Sequence, residues 1–140
     1  MSFSLKITTA EQVAAAARTA LLSDLADTRW DVQNSGITLP SGFHARTDRL
    51  TRADLTEALS ALQLGIKSEP FSWKAPDGWV KLTRLDLEQI TAAVAAHVQS
   101  CFDAEEAVEA QVAALGDAEL AGFDAEAAFA AALAAFRVGE

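Results

Sequence analysis

The chain has 140 residues, 51% of them hydrophobic, and a formal net charge of −9. That is enough apolar material for one domain with a core, and too much for a disordered chain. Residues 1–100 carry 11 acidic and 10 basic side chains, whereas residues 101–140 carry nine acidic ones against Arg137 alone; with no basic cluster to displace counterions from phosphates, nucleic acids and anionic membranes are excluded as expected partners.

Cys101 is the sole cysteine and cannot form an internal disulfide, which fits a reducing cytoplasm. The stretch "MSFSLKITTAEQ" lacks an apolar core of signal-peptide length. The longest apolar run, "AAFAAALAAF", is mostly alanine and far too short to span a bilayer. A soluble protein, cytoplasmic where it is made, is expected.

The first predicted helix opens at Thr9 or Thr8, with Glu11 and Gln12 in its first turn. Val13, Ala17, Ala20, Leu21 and Leu25 recur at helical spacing, the helix runs to about Trp30, and "NSG" stops it. "GITLPSGFHARTD" then reads as a hairpin around a type I turn. It pairs Leu39 with Phe43 and Ile37 with Ala45, leaving Thr38, His44 and Arg46 on the polar face. The second helix, "LTRADLTEALSALQLGI", takes Thr51 as its expected N-cap with Asp54 as capping partner. Leu55, Leu59 and Leu62 form its apolar stripe, and Gly65 lies at its end.

"SWKAPDGWVKLTRLDL" repeats the grammar of the first hairpin, proline second and glycine fourth. The same registry pairs Ala75 with Trp79 and Trp73 with Lys81, so that Phe71, Trp73, Ala75, Trp79 and Lys81 share a face and the two indoles meet. "LTRLDL" then matches the earlier "LTRADL" at five of six positions, so the chain reads hairpin–helix twice, by duplication or by convergence.

The third helix is expected from Thr83, with Asp86 as capping partner, to Leu115; about thirty residues make it roughly 45 Å long. Ile90, Val94, His97, Cys101, Ala104, Val108, Gln111 and Leu115 step by four and three along it. Such a helix is expected to project or to pair with another chain, giving a homo-oligomer through residues 84–115. Beyond Gly116, Asp124 can cap a last helix with Phe129, Leu133 and Phe136 on one stripe. The expected class is α+β, mostly helical, with two β-hairpins alternating with helices, one long helix and a C-terminal helix. Residues 1–115 form the expected domain and residues 116–140 an acidic, alanine-rich helical extension.

Candidate chemistry is sparse. His97 and Cys101 lie four apart on one helix and could in principle make an activated thiolate, but no oxyanion site or orienting group accompanies them; helix packing is the simpler reading. Two ligands are also too few for zinc. His44 reads as a surface histidine. Asp103, Glu105, Glu106 and Glu109 lack the loop of an EF-hand and read as a solvated helix face. There is no phosphate-binding glycine loop and no nucleophile elbow, so neither catalytic residues nor a cofactor are expected. Trp73 and Trp79 could form a stacking platform for a carbohydrate or receptor, or else the core of the hairpin–helix packing.

"GITLPSGFHARTDR", "WKAPDGWVKLT" and "AAVAAHVQSCFDAE", in that order, resemble a domain of unknown function found in bacteriophage and prophage tail-fibre-associated proteins. The W-K-x-x-D-G element is carried by Trp73, Lys74, Asp77 and Gly78, and the A-H-V-x-x-C-F element by Ala96, His97, Val98, Cys101 and Phe102. The likeness runs from about Arg29 to Glu109; Leu50-Thr51-Arg52 departs from the usual Ser-Gln-type step, and the tail beyond about residue 116 lies outside. It implies a non-enzymatic tail-fibre component or assembly factor. Its partners would be other phage tail proteins, and it would be located in the host cytoplasm and then the virion tail.

Overall fold

The computed structural model describes residues 9–138. Its elements are α1 (Ala10–Gln33), β1 (Ile37–Thr38), β2 (His44–Ala45), α2 (Arg49–Gln63), β3 (Phe71–Ala75), β4 (Gly78–Leu82), α3 (Arg84–Ala114), a 3-10 helix (Asp117–Gly122) and α4 (Ala125–Val138). The strands form two separate antiparallel pairs, β1–β2 and β3–β4. The fold is α+β and mostly helical, as the sequence leads one to expect.

The helix starts follow from local chemistry. Thr9 and Gln12 cap α1 reciprocally: the Thr9 amide donates to Gln12 Oε1 at 2.9 Å and the Gln12 amide to Thr9 Oγ1 at 3.1 Å. Thr83 and Asp86 do the same for α3, at 2.9 and 3.2 Å. The Ala127 amide donates to Asp124 Oδ1 at 3.0 Å to open α4. For α2 the expected cap at Thr51 is corrected to Asp48. The Asp48 carboxylate reaches both the amide and the hydroxyl of Thr51, at 3.3 and 2.6 Å, so the helix begins a turn earlier and Thr51 becomes a donor inside it. At its other end α1 outlasts Trp30 and stops at Gln33, before Gly36 at φ 91°.

Compact units cut the chain differently from the compositional division at 115/116. One unit is the continuous segment Trp30–Phe102; the other joins the chain up to Arg29 with Asp103 onward. In the first, Leu55 and Ala58 of α2, Phe71 and Leu82 of the second hairpin, and Leu87, Ile90 and Val94 of α3 close a core, with Ile37, Leu39 and Phe43 of the first hairpin packed on it. Neither hairpin could hold itself together without such a surface. Thr47 is fully buried and ties the first hairpin to α1: its hydroxyl donates to the Gln33 carbonyl at 2.5 Å and accepts from the Gly36 amide at 3.0 Å.

In the second unit, Ala14 and Leu25 of α1, Ala104, Val108 and Val112 of α3, and Phe129 and Leu133 of α4 are buried. Here the expected stripes shift by a residue. Val13 and Ala20 are exposed while Ala14 is buried, and Gln111 is exposed while Val112 takes its place; helices of 3.6 residues per turn drift off a strict heptad. Phe136 stays 42% exposed. The apolar seam of α3 is thus covered within a single chain. Two arginines that give no pattern signal pin this unit. Arg18 donates to the carbonyls of Val112 and Leu115, both at 2.6 Å, satisfying the last turn of α3, and pairs with Asp117 at 3.1 Å. Arg29 meets Glu105 at 2.6 Å with both side chains largely covered.

Candidate interaction site

The first hairpin obeys the expected register, with Ile37 opposite Ala45 and Thr38 opposite His44. Gly42, at φ 88°, sits in a three-residue loop, and the Leu39 amide donates to the Phe43 carbonyl at 2.9 Å. The second hairpin does not repeat it. Gly78 already pairs with Ala75, so the loop is only Pro76-Asp77, and the return strand shifts by one: Lys74 opposes Trp79, Trp73 opposes Val80 and Ser72 opposes Lys81. A shift of one residue exchanges the faces of a strand. The expected pairing of Trp73 with Lys81 would have turned a lysine toward the core and left Val80 and Leu82 in water. The observed register buries Leu82 and packs Val80 on the core, which keeps the ammonium hydrated. Gly78 adopts φ 124°, a conformation open to glycine at little cost.

The two tryptophans consequently lie on opposite faces, which overturns the double-indole platform. Trp73 packs against the core. Trp79 is 71% exposed and shares the outer face with Ser72, Lys74 and Lys81. The Lys74 ammonium lies 6.0 Å from the Trp79 ring, and Lys81 donates to Ser72 Oγ at 2.7 Å instead of pairing with Trp73. At the tip, Asp77 Oδ2 is 3.7 Å from His44 Nε2, joining the two hairpins through exposed side chains; an ion pair in that setting contributes little. Between the hairpins and the start of α2 runs a cleft of about 250 Å³. Half-buried Phe43 and Trp73 line it together with the exposed charges of Arg46, Lys74 and Asp54. The motif W-K-x-x-D-G is therefore split: Trp73 serves the core, while Lys74 and Asp77 belong to the exposed tip that also carries Trp79.

Of the A-H-V-x-x-C-F residues, His97 and Cys101 belong to the interior, Val98 is half-buried, and Ala96 and Phe102 are exposed. His97 is 5% and Cys101 0% exposed. His97 Nε2 lies 3.1 Å from the Val32 carbonyl and 3.9 Å from Cys101 Sγ. A carbonyl only accepts, so Nε2 is the protonated nitrogen and cannot serve as a base toward the thiol. The Val32 carbonyl sits one residue before the end of α1 and gave no sequence signal. Of the acidic set, Glu105 is paired with Arg29, while Glu106 and Glu109 are exposed on α3. Among the described residues no group of three or more His, Cys, Asp or Glu side chains could hold a metal ion, and no helix is long and apolar enough to cross a membrane.

A family model described as a domain of unknown function, DUF4376, matches residues 16–136. It therefore reaches well past Glu109 and takes in the acidic tail, which the motifs alone had left outside. No curated protein and no solved structure matched the chain.

Proposed function

The chain belongs to the DUF4376 family, and from that premise we propose that it is a non-enzymatic interaction protein associated with bacteriophage or prophage tail fibres, as a component or an assembly factor. The observation that carries the interaction reading is Trp79. A large aromatic side chain, 71% exposed and flanked by lysines on a hairpin whose other face builds the core, is costly to leave in water and suited to anchoring a protein contact. The tail association rests on the likeness of the hairpin and A-H-V-x-x-C-F stretches to tail-fibre-associated proteins. A catalytic reading has less support, because Cys101 is sealed in the interior beside a nitrogen that donates rather than accepts. The protein would be made in the host cytoplasm and act at the tail. Mass spectrometry of purified virions separates the two roles: stoichiometric copies identify a component, and absence from virions that need it for assembly identifies a chaperone. Normal tails and normal host adsorption after deletion of the gene would sink the reading.

A further inference from the structure

We infer that the Trp79 face of the second hairpin docks on the acidic outer face of α3 in a second copy of this chain, giving head-to-tail association. The inference rests on reading that hairpin as a protein-binding face and names its partner. The β3–β4 pair offers water an aromatic ring with a cation on either side, Lys74 directly across from Trp79 and Lys81 two residues along β4. Among the described residues the ring stays 71% exposed. The same chain holds a surface of matching chemistry. Glu106, Glu109, Ala110 and Ala113 are all exposed, and their spacing of three, four and seven places them on one side of α3. Two carboxylates there adjoin two small side chains, which leave the helix backbone approachable by a flat indole.

The dimensions agree. Lys74 and Lys81 are diagonal neighbours on the ladder, about 7–8 Å apart, and Glu106 and Glu109 are about 5–6 Å apart at their Cβ atoms; side chains of this length bridge the difference. The charge of residues 101–140, nine acidic side chains against Arg137, supplies the long-range attraction toward the lysines. The two surfaces are different patches of one molecule, so the contact is heterologous. It builds a ring where the rotation closes and an open chain where it does not.

The experiment is sedimentation equilibrium on the full chain and on two charge-reversed variants, K74E/K81E and E106K/E109K, with circular dichroism confirming that each is folded. The wild type is expected to associate and to weaken at least tenfold as salt is raised. Trp79→Ala should weaken it at least tenfold as well. Each reversed variant alone should be monomeric, since like charges then face each other. An equimolar mixture of the two should associate again, because every hairpin then finds a helix of opposite sign. A wild type that stays monomeric to about 1 mM, or association that survives both reversals, would overturn the self-docking and leave the tail-associated role to be judged by the virion experiment.

Discussion

Three tryptophans report on three different positions. Trp30 and Trp79 are 61% and 71% exposed, while Trp73 packs against buried Leu and Ile side chains. A variant keeping only Trp73 should emit to the blue of one keeping only Trp79 and resist acrylamide, and Trp73→Ala should cost about 2 kcal/mol or more where Trp79→Ala stays within about 0.5 kcal/mol. Equal quenching of the two rings would show that the register argued from Lys81 and Val80 is wrong. That register was legible in principle. "GWVKL" alternates, and burying Val80 with Leu82 keeps Lys81 in water, but the likeness of "APDG" to "LPSG" pointed the other way. A proline–x–glycine turn accommodates either a two- or a three-residue loop, and the parity of the following side chains decides between them.

At the scale of elements, the caps and the helix order could be read from the chain because they depend on neighbours three residues away. Thr9 with Gln12 and Thr83 with Asp86 are such pairs. The misplaced start of α2 shows the limit: Asp48 and Thr51 are both competent caps, and the carboxylate won by taking two donors from the same residue. What could not be read is long-range. The partners of His97, Arg18 and Arg29 lie in segments far along the chain, and no periodicity announces them. The Asp48 cap has a measurable consequence. The hydrogen bond from the Thr51 hydroxyl holds its carboxyl below the usual value of 3.8; partial burial opposes this, and the Thr51 amide and the Arg46 charge assist it. A group depressed on folding lends stability that is fully present above its unfolded value and fades as pH falls through the lower folded one. Asp48→Ala should cost about 1 kcal/mol at neutral pH, and denaturant melts should show the gap to wild type closing below pH 3.8. A gap that persists unchanged into that range would show that the charge of the cap is not what matters.

At the scale of the whole molecule, the compact units group segments that are far apart in the chain. The tail beyond residue 116 looks like an appendage because it is acidic and alanine-rich, yet Leu120, Ala125, Phe129 and Leu133 are buried members of a unit that also holds Ala10–Arg29. A chain ending at Leu115 should therefore keep slow amide exchange in β3, β4 and the first half of α3, and exchange fast over residues 10–29 and 103–115. Uniform loss of protection would mean that the two units melt as one. The division also sets an order in time. Trp30–Phe102 is one uninterrupted segment, able to close its core as soon as Phe102 has left the ribosome. Ala10–Arg29 emerges earlier, but the rest of its own unit, from Asp103 onward, is translated only after that segment, so these residues wait for their partners within the unit, and a ribosome stalled between Phe102 and Asp124 would leave them short of those partners and open to chaperones and proteases.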